Sequence, residues 1–212
     1  MKQQNSSQKS RQLVQLALFS ALILVMASVP FLGYVPLGFT RATILHLPVI
    51  LGSILLGPKA GAVLGGLFGL TSLWSNTFQP VITSFVFSPF YSVGDVHGSW
   101  ASLVICFVPR ILTGIVPYYV FQAVRKLSKN PRSVLALGAA GFSGAMTNTL
   151  LVMHLIYLLF GQQYAALKAT AGQGAYSVIL SIIAINGIPE AVVAVILTIL
   201  IGTPLLHYRK QG

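Results

Sequence analysis

Acidic residues are almost absent: the 212-residue sequence holds only Asp95 and Glu190, against thirteen Lys and Arg. Charge of either sign is scarce, at 7% of the chain, while 55% is hydrophobic and mean hydropathy is +0.83. So little polar material cannot clothe a soluble domain, and the class it indicates is an integral membrane protein. Cys106 stands alone, which excludes a disulfide framework and a thiolate metal cluster. Four histidines and two acids show no ligand spacing such as His-x-x-x-His, so no metal or other cofactor is expected. "GPKAG" and "GGLFGL" lack the Gly-Lys-Ser/Thr ending that cradles phosphate, and the chain is not expected to hydrolyse ATP itself. The basic excess also suits nucleic acid in principle. Here, however, the basic residues sit in the tail, in short loops and at helix ends, not along a folded face with interleaved aromatics.

What the sequence does have is six apolar stretches, at 12–29, 42–56, 60–75, 100–127, 134–160 and 176–206, behind a polar tail at 1–11. Each is close to the roughly 20 residues that cross ~30 Å of hydrocarbon. The second and third are short and joined by the tight Gly57-Pro58-Lys59, whereas the last three are long enough to tilt. The expected fold is an all-α membrane protein, with residues 1–212 forming one six-helix transmembrane domain. The basic tail and first apolar run resemble a secretory leader, but "VMASVP" is a poor cleavage site and the run is long. With the N-terminus in the cytoplasm, Lys2, Lys9, Arg11, Lys59, Arg125, Lys126, Lys129, Arg132, Arg209 and Lys210 fall inside, and only Arg41 and Lys168 outside. Both termini are therefore expected to be cytoplasmic. The long connections near 76–99 and 161–175 then face outward, and long loops commonly carry function.

Arg110 lies inside the fourth stretch, in "FVPRILTGIVPYYV", with no carboxylate within a helical turn. Counting from the basic helix ends at 1.5 Å per residue puts Arg110 roughly 22 Å, Asn148 roughly 24 Å and Glu190 roughly 27 Å above the inner interface. Asn186 lies one turn above Glu190. Polar residues of three helices thus share one level beneath the external loops. A charge at such depth costs about 2.5 to 3.5 kcal/mol and must face the bundle and find a partner. Two readings remain open: an Arg110–Glu190 ion pair that locks two helices, or a ligand site in which Arg110 offers its planar fork to a carboxylate. No feature of the sequence ranks Asn148 above Thr147 or Thr149.

Small residues form a second pattern. Gly61, Gly65 and Gly69 make a ladder that allows close helix approach, while Ala17 and Ala21 repeat the spacing on the first stretch, as internal packing or as a docking strip. "GFSG" at Gly141–Gly144 matches the serine motif of rhomboid intramembrane proteases. Ser143 has no base in reach, however: His154 is about 16 Å along the same helix, His207 sits at the interface, and His46 would reverse the usual order of the dyad. No catalytic residues are assigned.

"LHLPVILGSILLGPKAGAVLGGLFGL", "PRILTGIVPYYV" and "NGIPEAVVAVILT", together with the Ala-xxx-Ala, resemble the substrate-binding S components of energy-coupling factor (ECF) vitamin transporters over nearly the whole chain. "VPFLGYVPLG", "FSPF", "GAMTNTLLV" and "NGIPEAVVA" are most similar to the pantothenate-specific members. The resemblance implies a bacterial plasma-membrane protein that captures a vitamin near the outer face. It also implies inward delivery by toppling on a transmembrane coupling subunit (EcfT-type), driven by two cytoplasmic ATPase subunits (EcfA-type). Pantothenate carries a carboxylate, two hydroxyls and an amide. Arg110 would neutralise the carboxylate, and Asn148, Asn186 and Glu190 would satisfy the other polar groups. Tyr34 and Trp74 would close over the gem-dimethyl part, and Ala17 and Ala21 would face the coupling subunit. The expected surroundings are membrane lipid and these partners, without nucleic acid. Another vitamin or precursor, such as a hydroxymethylpyrimidine, is the nearest rival. A stand-alone carrier or channel would need an internal repeat or a continuous polar path, and neither is evident.

Overall fold

A computed structural model describes residues 2–29, 33–36, 41–128, 134–167 and 175–208, with side chains from residue 8 onward except 34–36, 41, 42, 165–167 and 175. The apolar stretches fold as helices: α1 (Lys2–Ser28), α2 (His46–Leu56), α3 (Pro58–Phe78), α4 (Ala101–Leu127), α5 (Val134–Leu167), and α6 (Ala175–Ile182) running through a π-helical segment (Ile183–Gly187) into α7 (Ile188–Tyr208). Two short antiparallel ribbons lie in the connections. β1 (Tyr34–Pro36) pairs with β2 (Arg41–Thr43), and β3 (Ser92–Val93) with β4 (Val96–His97). Gly94, at φ 55°, supplies the left-handed residue of the tight turn in the second ribbon. A 3₁₀ turn at Ile82–Val86 completes the long connection after α3.

Gln8–Ser28, Ala101–Leu127, Val134–Tyr164 and Tyr176–Tyr208 are each long and apolar enough to cross a membrane. Leu13, Leu18, Leu135, Leu158 and Leu200 are among many large apolar side chains left exposed, as a lipid-facing exterior requires. α2 begins later than its apolar run because Arg41–Thr43 is drawn into the β ribbon. The Thr43 hydroxyl donates to the Gly33 carbonyl and accepts the Leu45 N–H, both at 3.2 Å. α2 therefore has 11 residues, or about 16 Å of rise. Gly57, at φ 97°, turns the chain directly into α3, with Pro58 at its first position.

The glycine ladder of α3 lies against α4. A Cβ on Gly65 would sit 2.8 Å from Ile111 Cα, and one on Gly69 would sit 2.8 Å from Phe107 Cδ1. Gly61 meets the backbone of Gly114 in the same way. Cys106 Sγ donates to the Gly69 carbonyl at 3.2 Å across this seam. On the other side of the bundle Gly141 lets α5 approach α7, where a Cβ would lie 2.8 Å from the Ala194 carbonyl oxygen. α4 and α5 thus form the central pair, with α3 and α7 packed outside them. α1 is peripheral: only 11% of its apolar window is buried, and both Ala17 and Ala21 are exposed.

Replacing Gly65 with Leu is expected to prise α3 from α4 and lower the melting temperature in detergent, an overpacking cost of about 1–3 kcal/mol or more. Gly66, one residue along, has open space at its Cβ, so Gly66→Ala should leave the melting temperature level or raise it. Equal melting temperatures for Gly65→Leu and wild type would contradict the seam.

Candidate functional site

At the end of the bundle that carries the long α3–α4 connection, a cavity of about 80 Å³ is lined by residues of α3, α4, α5, α7, the π segment and the loops. Arg110 reaches it from α4 and is only 5% exposed. Its Nη1 donates to the Ile105 carbonyl at 2.7 Å and its Nη2 to Ser72 Oγ at 3.4 Å. The rings of Phe87 and Phe68 flank the guanidinium carbon, with centroids at 5.1 and 5.5 Å. Two aromatic rings and two acceptors offset the cost of placing a cation in an apolar bundle.

Glu190 enters from the first turn of α7. Its Oε1 accepts the Thr43 N–H at 2.8 Å, and its Oε2 accepts from Thr149 Oγ1 at 3.3 Å. The carboxylate thereby ties the end of the β1–β2 ribbon to α5 and α7, and it lies within the electrostatic reach of Arg110. Asn148, beside Thr149 on α5, is 5% exposed, and its buried Oδ1 has no hydrogen-bond partner among the described residues. Asn186 sits in the π segment and is half-buried on the cavity wall. The sequence explains that segment. Pro189 has no N–H and its ring would crowd the Ile185 carbonyl in a regular helix, so the turn before it widens. Such widened turns commonly mark functional sites.

The loop side of the cavity is fastened by serines and an asparagine. Asn76 Nδ2 donates to the Ser72 carbonyl at 2.8 Å, and Ser84 Oγ donates to Asn76 Oδ1 at 2.7 Å while accepting the Val81 N–H at 2.9 Å. Ser102 Oγ, on α4, donates to the Phe85 carbonyl at 2.8 Å. These bonds hold Val81, Thr83 and Phe87 against the opening. Val152, Met153, Ile156 and Ile182 give the remaining wall its apolar character. Tyr164 also reaches the cavity from α5, beyond a break in that helix at Phe160 (φ −136°, ψ 16°).

The profile of the family "ECF transporter, substrate-specific component" matches residues 11–202. The chain is 43% identical over 173 residues to the pantothenic acid transporter PanT of Lactococcus lactis subsp. cremoris, covering 81% of each chain. It is 30% identical over 213 residues to the pantothenate transporter PanT of Leuconostoc mesenteroides subsp. mesenteroides, covering 98% of each. The chain belongs to the ECF transporter substrate-specific component family. It is a multi-pass cell-membrane protein.

Of the side chains expected at the binding site of this S component, Arg110, Asn148, Asn186 and Glu190 line the one cavity. Trp74 does not. It is 65% exposed, stacks on Phe78 with centroids 4.2 Å apart, and lines a surface groove with Leu24 and Ala27 of α1. Its place on the helix turns it away from α4, toward lipid. The side chain of Tyr34 lies outside the described residues. Ser72, Asn76, Thr83, Phe87 and Tyr164 line the cavity without having been singled out from the sequence, and Thr149, left unranked beside Asn148, lines it too. The i, i+4 spacing of Ser72 and Asn76 was the available signal, blurred by the neighbouring Thr71, Ser75 and Thr77. Ser143 donates to the Ala140 carbonyl at 3.1 Å, and His154 bonds the Leu150 carbonyl at 2.7 Å, so both are engaged within their own helix. Among the described residues no three His, Cys, Asp or Glu side chains come together as metal ligands.

Ser84→Ala removes the acceptor of the Val81 N–H and the donor to Asn76 in a fully buried position. The expected cost is about 1–3 kcal/mol, read as a lower melting temperature in detergent. A wild-type melting temperature would show that the loop does not depend on this serine.

Proposed function

We propose that this S component captures pantothenate from outside the cell and delivers it inward as part of an ECF transporter. The observation that carries the reading is the buried Arg110 guanidinium on the wall of a cavity that also holds Asn148, Asn186 and Glu190. The names of the two relatives support the choice of vitamin over a hydroxymethylpyrimidine. The pantothenate carboxylate exchanges for Ser72 on the Nη2 edge of Arg110, where a planar fork in a dry site binds it strongly. Asn148 Oδ1 accepts from a ligand hydroxyl or the amide N–H, and Asn186 and Glu190 take the remaining polar groups. Val152, Met153 and Ile156 suit the gem-dimethyl carbon.

Residues 1–212 form one transmembrane domain of six spans with both termini cytoplasmic. The positive-inside distribution supports this orientation, with the cavity and the α3–α4 connection outward. The exposed face of α1 with Ala17 and Ala21 docks the transmembrane coupling subunit, and two partner ATPases supply the energy with which the loaded protein topples. The peripheral packing of α1 supports that role. A second reading makes Arg110 and Glu190 a permanent lock between helices. The separate donors that Glu190 already has in Thr43 and Thr149 weigh against it.

In equilibrium binding of pantothenate to the purified protein, Arg110→Ala should lose about 100-fold or more, as expected for removing one partner of a desolvated charge pair. A wild type that binds none removes the vitamin assignment, and undiminished binding by Arg110→Ala favours the helix lock. Ala17→Leu is expected to abolish uptake in cells supplied with the coupling module while leaving ligand binding intact. Loss of binding along with uptake would contradict the docking role.

A further inference from the structure

α4 carries two prolines inside its span, Pro109 and Pro117. Proline has no N–H, so each leaves the carbonyl four residues earlier, at Ile105 or Thr113, without its helical donor. Buried in an apolar bundle, such a carbonyl must find another partner. Ile105 is fully buried, and its carbonyl takes Arg110 Nη1 at 2.7 Å. The residue that withholds the backbone donor is thus the immediate neighbour of the residue that replaces it. This bond grips one edge of the guanidinium, whose carbon lies over the rings of Phe68 and Phe87. The other edge meets Ser72 Oγ at 3.4 Å, long for a charge-assisted hydrogen bond. One edge is held by a short bond and the other meets Ser72 through a longer one.

We propose that Pro109 is a positioning residue for substrate binding: by leaving the Ile105 carbonyl to Arg110 Nη1, it fixes the guanidinium beside the rings of Phe68 and Phe87 with its Nη2 edge at the cavity wall. Its effect on affinity rests on the reading of Arg110 as the partner of a ligand carboxylate. The geometry it imposes on Arg110 does not.

Pro109→Ala tests this, because it restores an N–H that competes for the Ile105 carbonyl, and alanine is the better helix former. Pro117→Ala is the control. It relaxes the same helix two turns away without touching Arg110. In ligand-free protein labelled with isotopic arginine, the Arg110 Nη proton signals are identified by their loss in Arg110→Lys. They should be separate and slowly exchanging in wild type and Pro117→Ala, and averaged by guanidinium rotation in Pro109→Ala. Wild-type signals in Pro109→Ala overturn the proposal. With pantothenate and its uncharged alcohol analogue pantothenol as probes, Pro109→Ala should lose roughly 3- to 10-fold in affinity for pantothenate only. Equal losses for both probes would also overturn the proposal and leave Pro109 as a helix-shaping residue. A wild type that binds no pantothenate removes the vitamin assignment, and the arginine signals then decide the role of Pro109 by themselves.

Discussion

Holding a guanidinium inside an apolar helix bundle costs about 2.5 to 3.5 kcal/mol on membrane-insertion scales, and the architecture around Arg110 is organised to offset that cost. The glycine ladder of α3 brings Phe68 and Ser72 within reach of α4. Pro109 leaves the Ile105 carbonyl free to accept, and the long connection after α3 brings the Phe87 ring to within 5.1 Å of the guanidinium carbon. Remove the close α3–α4 seam and the cation loses the Ser72 acceptor and the Phe68 ring together. The same arrangement leaves a charged edge on a cavity wall, the natural seat for a small anion.

Two parts of the molecule differ in how tightly they are held, and the difference matches their proposed work. The cavity is fastened from all sides: Glu190 ties the β1–β2 ribbon to α5 and α7, and Ser84 and Asn76 pin the loop to α3. Polar groups so arranged hold one another's geometry, which favours selective binding of one ligand. α1, in contrast, shows most of its apolar surface, including the flat strip at Ala17 and Ala21. The proposed binding site on the central helices and the proposed docking face on a peripheral one would keep capture and delivery on separate surfaces of the protein.

The helices were legible because apolar length is a strong signal in a membrane protein, and the polar level was legible because helical rise turns residue counts into depth. The seam of Gly61, Gly65 and Gly69 was also visible as a small-residue ladder. Local features escaped where a tertiary partner decides the conformation. Ala42 and Thr43 read as the start of a helix, yet ribbon pairing and the bond to Glu190 draw them into β structure. The π segment needed Pro189 to be read as a demand for a wider turn and not merely as part of an apolar run. Trp74 was offered through the family resemblance and its position at the end of the third stretch, and neither says which face of α3 it occupies. Ser72, Asn76 and Phe87 gave only weak signals because serine, asparagine and phenylalanine are common near membrane interfaces.

The most direct test of the central claim is a structure of the protein with pantothenate bound. The carboxylate is expected against Arg110 Nη2, with Ser72 displaced, the Ile105 bond kept and the hydroxyl end toward Asn148 and Glu190. A carboxylate placed at the loop end of the cavity, with Arg110 still on Ser72, would contradict it.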